Sequence, residues 1–141
     1  MKDWIATDFD RELFDRELNA FVPDHVFDAH AHLYRADHFP ADKQPALIGG
    51  GPSIAGVKEF DERINEITPG RPTEALFFPF PNTYVDVDAE NEFLYEELKN
   101  RPHSRGQMLT PPTMSPDTIR ETVKRCGFVG LKCYHVWSPR T

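Results

Sequence analysis

Val26-Phe27-Asp28-Ala29-His30-Ala31-His32-Leu33-Tyr34 carries more chemistry than any other nine residues of the chain. Read as a strand, it alternates between two faces, with Val26, Asp28, His30 and His32 on one and Phe27, Ala29 and Ala31 on the other. Two residues along a strand separate Cα atoms by roughly 6.5 Å, close enough for two imidazoles to lean onto one ion at the ~2.0–2.1 Å of a zinc–nitrogen bond. His30 and His32 are therefore the candidate metal ligands. Asp28, one layer below on the same reading, is placed to accept an imidazole N–H.

The pattern on either side places that strand in an alternating fold. Phe9, Leu13, Phe14 and Leu18 recur at helical spacing from Thr7 to about Asn19, and Pro23-Asp24 ends that helix. After Tyr34 the periodicity dissolves through His38-Phe39-Pro40 as far as Gly49-Gly50-Gly51-Pro52, a long connection that reads as a functional or mobile loop hinged at its glycines. Ile54, Val57, Phe60, Ile64 and Ile67 then mark a helix. Ala75-Leu76-Phe77-Phe78 is apolar on both faces, as in a buried parallel strand. Asp88 reads as the cap of the next helix, with Glu90 and Glu92 in its early turns and Leu94 and Leu98 on its inner side. Gly106 to Thr110 is the third strand. Ser115-Pro116 starts a helix that Gly127 ends, and Phe128 to Tyr134 is the fourth strand.

A helix followed by strand-helix units of about thirty residues argues for parallel strands joined by right-handed crossovers. An open doubly wound sheet and a (β/α)₈ barrel both fit, and both place chemistry at the C-terminal ends of strands, where His30, His32 and Lys132 fall. No Gly-x-Gly-x-x-Gly follows the first strand, so nothing supports a dinucleotide site.

Composition narrows the function classes. Apolar residues make up 39% and charged residues 28% of the 141, which suits one folded domain spanning residues 1–141. The net charge of −7 and the lack of a basic stripe argue against nucleic acid and against an anionic membrane as partners. The first residues lack the apolar core of a signal peptide and no run is long enough to span a bilayer, so a cytoplasmic location is expected. Cys126 and Cys133 form no Cys-x-x-Cys pair and read as reduced, small apolar side chains.

Asp28-Ala29-His30-Ala31-His32-Leu33, followed much later by Gly127-Phe128-Val129-Gly130-Leu131-Lys132, resembles the amidohydrolase superfamily, in particular its amidohydrolase-related branch of metal-dependent hydrolases. The resemblance runs from about His25 to the end of the chain. It implies a (β/α)₈ barrel in which the first-strand His pair ligates a divalent metal, most often zinc. It also implies further His ligands after the fifth and sixth strands, and an Asp after the eighth. Lys132 matches the fourth-strand position that some members use, carbamylated, to bridge two metals. A closed barrel of this kind takes about 250 residues. The expectation is thus the N-terminal half of a barrel: about four parallel strands with intervening helices, preceded by an N-terminal helix. Its partner would be the missing C-terminal half or, as the less favoured alternative, a second copy.

The implied function is metal-dependent hydrolysis of an amide, lactone or ester bond in a small-molecule substrate, with His30 and His32 on the metal and Lys132 as catalytic residue. The same scaffold supports decarboxylation, hydration or isomerisation as the alternative, and a truncated half without catalysis is the third reading. Lys132, if it points into the barrel with Gly130 and Tyr134, is a cation in need of a partner such as a carbamate, a substrate carboxylate or a nearby Asp. His25 and His103 are not expected to act, His135 reads as a loop residue rather than a ligand, and His38 could contact substrate or a metal, although a surface histidine in a long loop more often does neither.

Overall fold

The computed structural model describes residues 6–138. Residues 1–5, where a signal peptide would begin, and residues 139–141 lie outside the described part. The architecture is α/β, with a five-stranded sheet ordered β2-β1-β3-β4-β5. The strands are β1 (Val26–Arg35), β2 (Ile54–Ala55), β3 (Thr73–Pro79), β4 (Arg105–Leu109) and β5 (Gly130–Lys132). β1, β3, β4 and β5 are mutually parallel, and only the two-residue β2 runs antiparallel, against Tyr34 and Arg35.

The four parallel strands lie side by side in chain order, with no reversal of direction across the sheet. The crossovers between them are α3 (Val57–Ile67), α4 (Val87–Leu98) and α5 (Pro116–Cys126). Ala31, Leu33, Ala75, Phe77 and Met108 on the strands meet Phe60 of α3, Leu94 and Leu98 of α4, and Val123 of α5 in one core. All three helices therefore cover the same face of the sheet, as right-handed crossovers without a switch point require. A doubly wound sheet would have helices on both faces.

Local chemistry explains most boundaries. Thr7 and Asp10 form a reciprocal cap on α1 (Asp8–Leu13), which loosens into a π-helical turn over Phe14–Leu18. Ser115 accepts from the Thr118 amide, Pro116 occupies the first turn of α5, and Gly127 closes that helix at φ 68°, a left-handed conformation that favours glycine. The cap of α4 is Asp86, whose carboxylate accepts from Ala89 N–H, and not Asp88. Ile54 belongs to β2 and not to the helix after it, because Tyr34 and Arg35 recruit Ile54 and Ala55 as a short antiparallel edge before Gly56 starts α3.

The long connection after β1 is an anchored excursion rather than a mobile loop. It holds a 3₁₀ turn at Ala36–His38 and a short α2 (Ala46–Gly49). Ala36 N–H donates to Ser53, Gln44 donates back to the Ala36 carbonyl, and Asp86 N–H donates to the His38 carbonyl. Phe39 and Ile48 bury against Tyr34, Val85 and Leu109 in a second apolar cluster at the C-terminal end of the sheet. No helix of the described residues is long and apolar enough to cross a membrane.

Candidate metal centre

The sheet register corrects one part of the strand reading. Asp28 pairs with Ala75 and Ala31 pairs with Phe77, so one extra residue sits between them in β1. This bulge inverts the parity of everything before it. Asp28 falls with Ala31 and Leu33 on the helix-covered parity, while His30 and His32 stay together on the opposite face. The Asp28 carboxylate accepts from the His30 backbone N–H at 2.9 Å, so it holds the bulge and does not orient an imidazole.

Past the bulge the two histidines come together. Their ring centroids are 5.2 Å apart at an interplanar angle of 65°. Both stand edge-to-face on Phe78, with centroid distances of 4.5 and 4.6 Å. Phe78 is the residue opposite His32 in β3 and is only 1% exposed, so it acts as a fixed platform under both rings. His32 Nδ1 lies 3.3 Å from the Pro79 carbonyl oxygen. A carbonyl can only accept, so the Nδ1 carries the proton and Nε2 keeps its lone pair. Burial pushes the His32 pKa down to about 4, opposed by the Pro79 hydrogen bond and assisted by the charges of His30 and Lys132. The ring is neutral at physiological pH, the state a metal ligand needs.

Lys132 reaches the same platform from β5. Its Nζ lies 3.6 Å from the Phe78 centroid and 5.3 Å from that of Tyr134. Strand β5 pairs Lys132 with Leu109, which puts it two strands away from β3 in order but over the same ring. Burial lowers its proton affinity. The register puts the three residues singled out in the sequence on the same face of the sheet as Phe78, and each of them contacts that ring.

The donor set fits a metal in part. Zinc bound at ~2.1 Å to one nitrogen of each of two rings, in tetrahedral geometry, sets their centroids roughly 5 Å apart, as observed here. Two imidazoles supply half of a tetrahedral site. Among the described residues no group of three or more His, Cys, Asp or Glu side chains could hold an ion.

The remaining histidines divide. His25, His103 and His135 are exposed. His38 places Nδ1 2.8 Å from Oε1 of the fully buried Glu90. Glu90 also accepts from the Arg35 backbone N–H at 2.9 Å, at the end of the strand that carries the metal pair. A signal for Glu90 exists in the sequence, since it lies four residues before Leu94 on the inner stripe of α4. Nothing in the local sequence marks Phe78 as the platform, because that role depends on register with β1. Cys126 and Cys133 are free thiols.

Comparison with protein-family models, with curated proteins and with solved structures finds no match to this chain.

Proposed function

We propose that this chain supplies the metal-binding half of a metal-dependent hydrolase of the amidohydrolase type, acting on an amide, lactone or ester bond of a small molecule. The observation that carries the reading is the His30–His32 pair, with two imidazoles at metal-sharing separation on a buried ring and the His32 proton fixed on Nδ1 by Pro79. The barrel half of the proposal draws on the sheet. Four parallel strands in unbroken chain order with helices on one face give a singly wound layer, whose other face becomes an interior only when further strands close it. The remaining strands and metal ligands would come from a complementary half.

Within this reading the residues have separate tasks. A divalent ion, most favourably zinc, supplies a water acidified to near neutral pH and a Lewis acid for the electrophile. His30 and His32 hold it as neutral donors. Pro79 fixes the orientation of one ring, Phe78 fixes the separation of both, and Asp28 sets the bulge that brings His30 to the right face. Lys132 brings a cationic side chain onto the platform. Decarboxylation, hydration or isomerisation on the same metal is the second reading, since the ligand pair is shared by all of these.

The test is cobalt and zinc titration of the purified chain. A weak single site is expected, with a cobalt absorption band typical of nitrogen ligands, and with binding lost in His30→Ala and in His32→Ala. Equal metal uptake by the wild type and both variants would remove the reading. Tight stoichiometric zinc with turnover would show that the half centre is complete by itself.

A further inference from the structure

Among the described residues, the platform carries a cation with no counter-ion. Lys132 Nζ sits on the Phe78 face, and no described side chain makes an ion pair or hydrogen bond with it. The chain as a whole has a net charge of −7, yet none of its described carboxylates pairs with this ammonium. Several basic side chains elsewhere do have carboxylate partners: Arg101 with Asp61 and Glu74, Arg125 with Glu92, Arg11 with Glu66, Lys99 with Glu96. Lys132 is also held in place, since its carbonyl accepts from Thr110 N–H at 3.1 Å and its strand is paired through Gln107 to Leu109.

An ammonium seated on an aromatic face keeps its charge with little water on that side, and turns its remaining donors outward. Such a group is a ready partner for an anion, because the desolvation of the cation is already partly met by the ring. The anion best matched is a carboxylate. One ammonium can satisfy a monoanion, whereas a phosphate site usually gathers several backbone N–H groups at a glycine-rich turn, and no such turn adjoins Lys132.

We propose that Lys132 is the docking group for a carboxylate of the substrate, holding it on the Phe78 platform beside the His30–His32 pair. The proposal rests on the metal reading above for its position in a reaction, and specifies it: the substrate is a small carboxylic acid that carries the scissile group a short distance from its carboxylate. Lys132 is then a specificity-determining residue.

The test uses the full chain in metal-free buffer, titrated with sodium malonate at constant ionic strength and followed by amide and side-chain NMR shifts. Saturable binding is expected, with shifts centred on Phe78, His32, Lys132 and Tyr134. Lys132→Met keeps the stem on the ring and removes the charge, and should weaken binding about tenfold or more, while Lys132→Arg should stay within about threefold. Circular dichroism of both variants checks that the fold is kept. No saturable binding to the wild type, or equal binding by Lys132→Met, would overturn the proposal. A bicarbonate-dependent carbamate signal on Lys132 would also overturn it, because the group would then be an anion. Zinc titration of the same variants separates the two ideas. Loss of malonate binding with zinc uptake intact removes the docking role alone; zinc uptake unaffected by His30→Ala and His32→Ala removes the metal reading alone.

Discussion

Glu90 Oε1 lies 2.8 Å from His38 Nδ1, and the carboxyl that holds this contact is fully buried beneath the loop that follows the histidine strand. The same oxygen accepts from Arg35 N–H, so one side chain of α4 joins the end of β1 to the first turn of that loop. Its other oxygen makes no hydrogen bond of normal geometry, although the Phe80 amide lies close enough to favour the ionised form slightly. Burial outweighs both amides and raises the Glu90 pKa to about 8. Burial also lowers that of His38, against the nearby carboxylates of Asp37 and Asp86 and together with the charge of Arg35. At neutral pH the pair is best described as uncharged, with one proton between oxygen and nitrogen.

This pair makes stability pH-dependent with a definite sign. Above an ordinary glutamate pKa near 4.5 the unfolded chain releases the Glu90 proton while the folded chain keeps it, so the contribution is whole below that pH and is lost as pH rises to about 8. The loss amounts to a few kcal/mol, because each tenfold change in proton affinity between the two states is worth about 1.4 kcal/mol. His38 acts the other way, because its lowered pKa costs stability as pH falls below its ordinary 6.5. Glu90→Gln keeps a donor and an acceptor in place without the titration. Urea unfolding at pH 5.5 and pH 8.5 is expected to show wild-type stability declining towards the alkaline side and Glu90→Gln stability level or rising. Parallel profiles would mean that Glu90 titrates normally in the folded state.

His32 gives a second, local titration. Its ring should remain neutral until the pH approaches 4, where an exposed histidine would be charged already near 6.5. The dominant cause is burial, and the repulsion from Lys132 adds to it. Following the ring proton resonances through an acid titration should give a midpoint near 4 for the wild type. Lys132→Met, which deletes one repulsive charge, should move the midpoint upwards. A midpoint near 6.5 would imply that the ring is solvated and that Phe78 does not shield it.

Much of this arrangement is legible in the sequence, and the reasons differ by element. Alternation of strand and helix, Ser115-Pro116 at a helix start and Gly127 at its end are local signals, so the parallel sheet and α5 follow from short-range rules. The gathering of His30, His32 and Lys132 on one face likewise follows from strand parity. The bulge after Asp28 does not, since it is set by the pairing with β3 and by a side-chain bond to His30 N–H, and it reverses the role expected of Asp28. For Glu90, a place in the early turns of α4 suggests a solvated partner of the helix dipole, but its position on the Leu94 stripe outweighs that effect. Asn91 is similar: its amide pins Leu109 N–H and C=O at 2.8 and 3.0 Å, a tertiary contact that no sequence window contains.

Phe78 ties the stability of the sheet to the geometry of the centre. It is 1% exposed and touches both imidazoles and the Lys132 ammonium. Phe78→Ala removes a buried ring and should cost ~3–5 kcal/mol, with metal affinity falling as the two histidines lose their common support. Phe78→Leu refills most of the volume without the ring face. Its thermal midpoint should recover part of the loss while malonate binding and cobalt binding stay weakened. Full recovery of both would make the ring a filler and not a platform.

Gly51 is required for a reason other than hinge motion. Its backbone is not among those with positive φ, yet a methyl at that position would stand 2.1 Å from the Tyr34 hydroxyl and 3.0 Å from the Leu47 carbonyl. Tyr34 is buried in the apolar cluster that anchors the loop to the end of β1, and its ring has little room to withdraw. Gly51→Ala should therefore destabilise the chain by about 1–3 kcal/mol, the usual range for overpacking. Tyr34→Phe deletes the oxygen and leaves the next ring atom 3.4 Å from the added methyl, an ordinary contact. In the double variant Tyr34→Phe with Gly51→Ala, the part of the penalty due to the hydroxyl should disappear while the 3.0 Å contact with the Leu47 carbonyl remains, so urea unfolding of the four proteins should give a favourable coupling short of full recovery. If the two substitutions add independently, the loop has moved away from Tyr34 in solution and the close packing at the end of β1 is not what holds it.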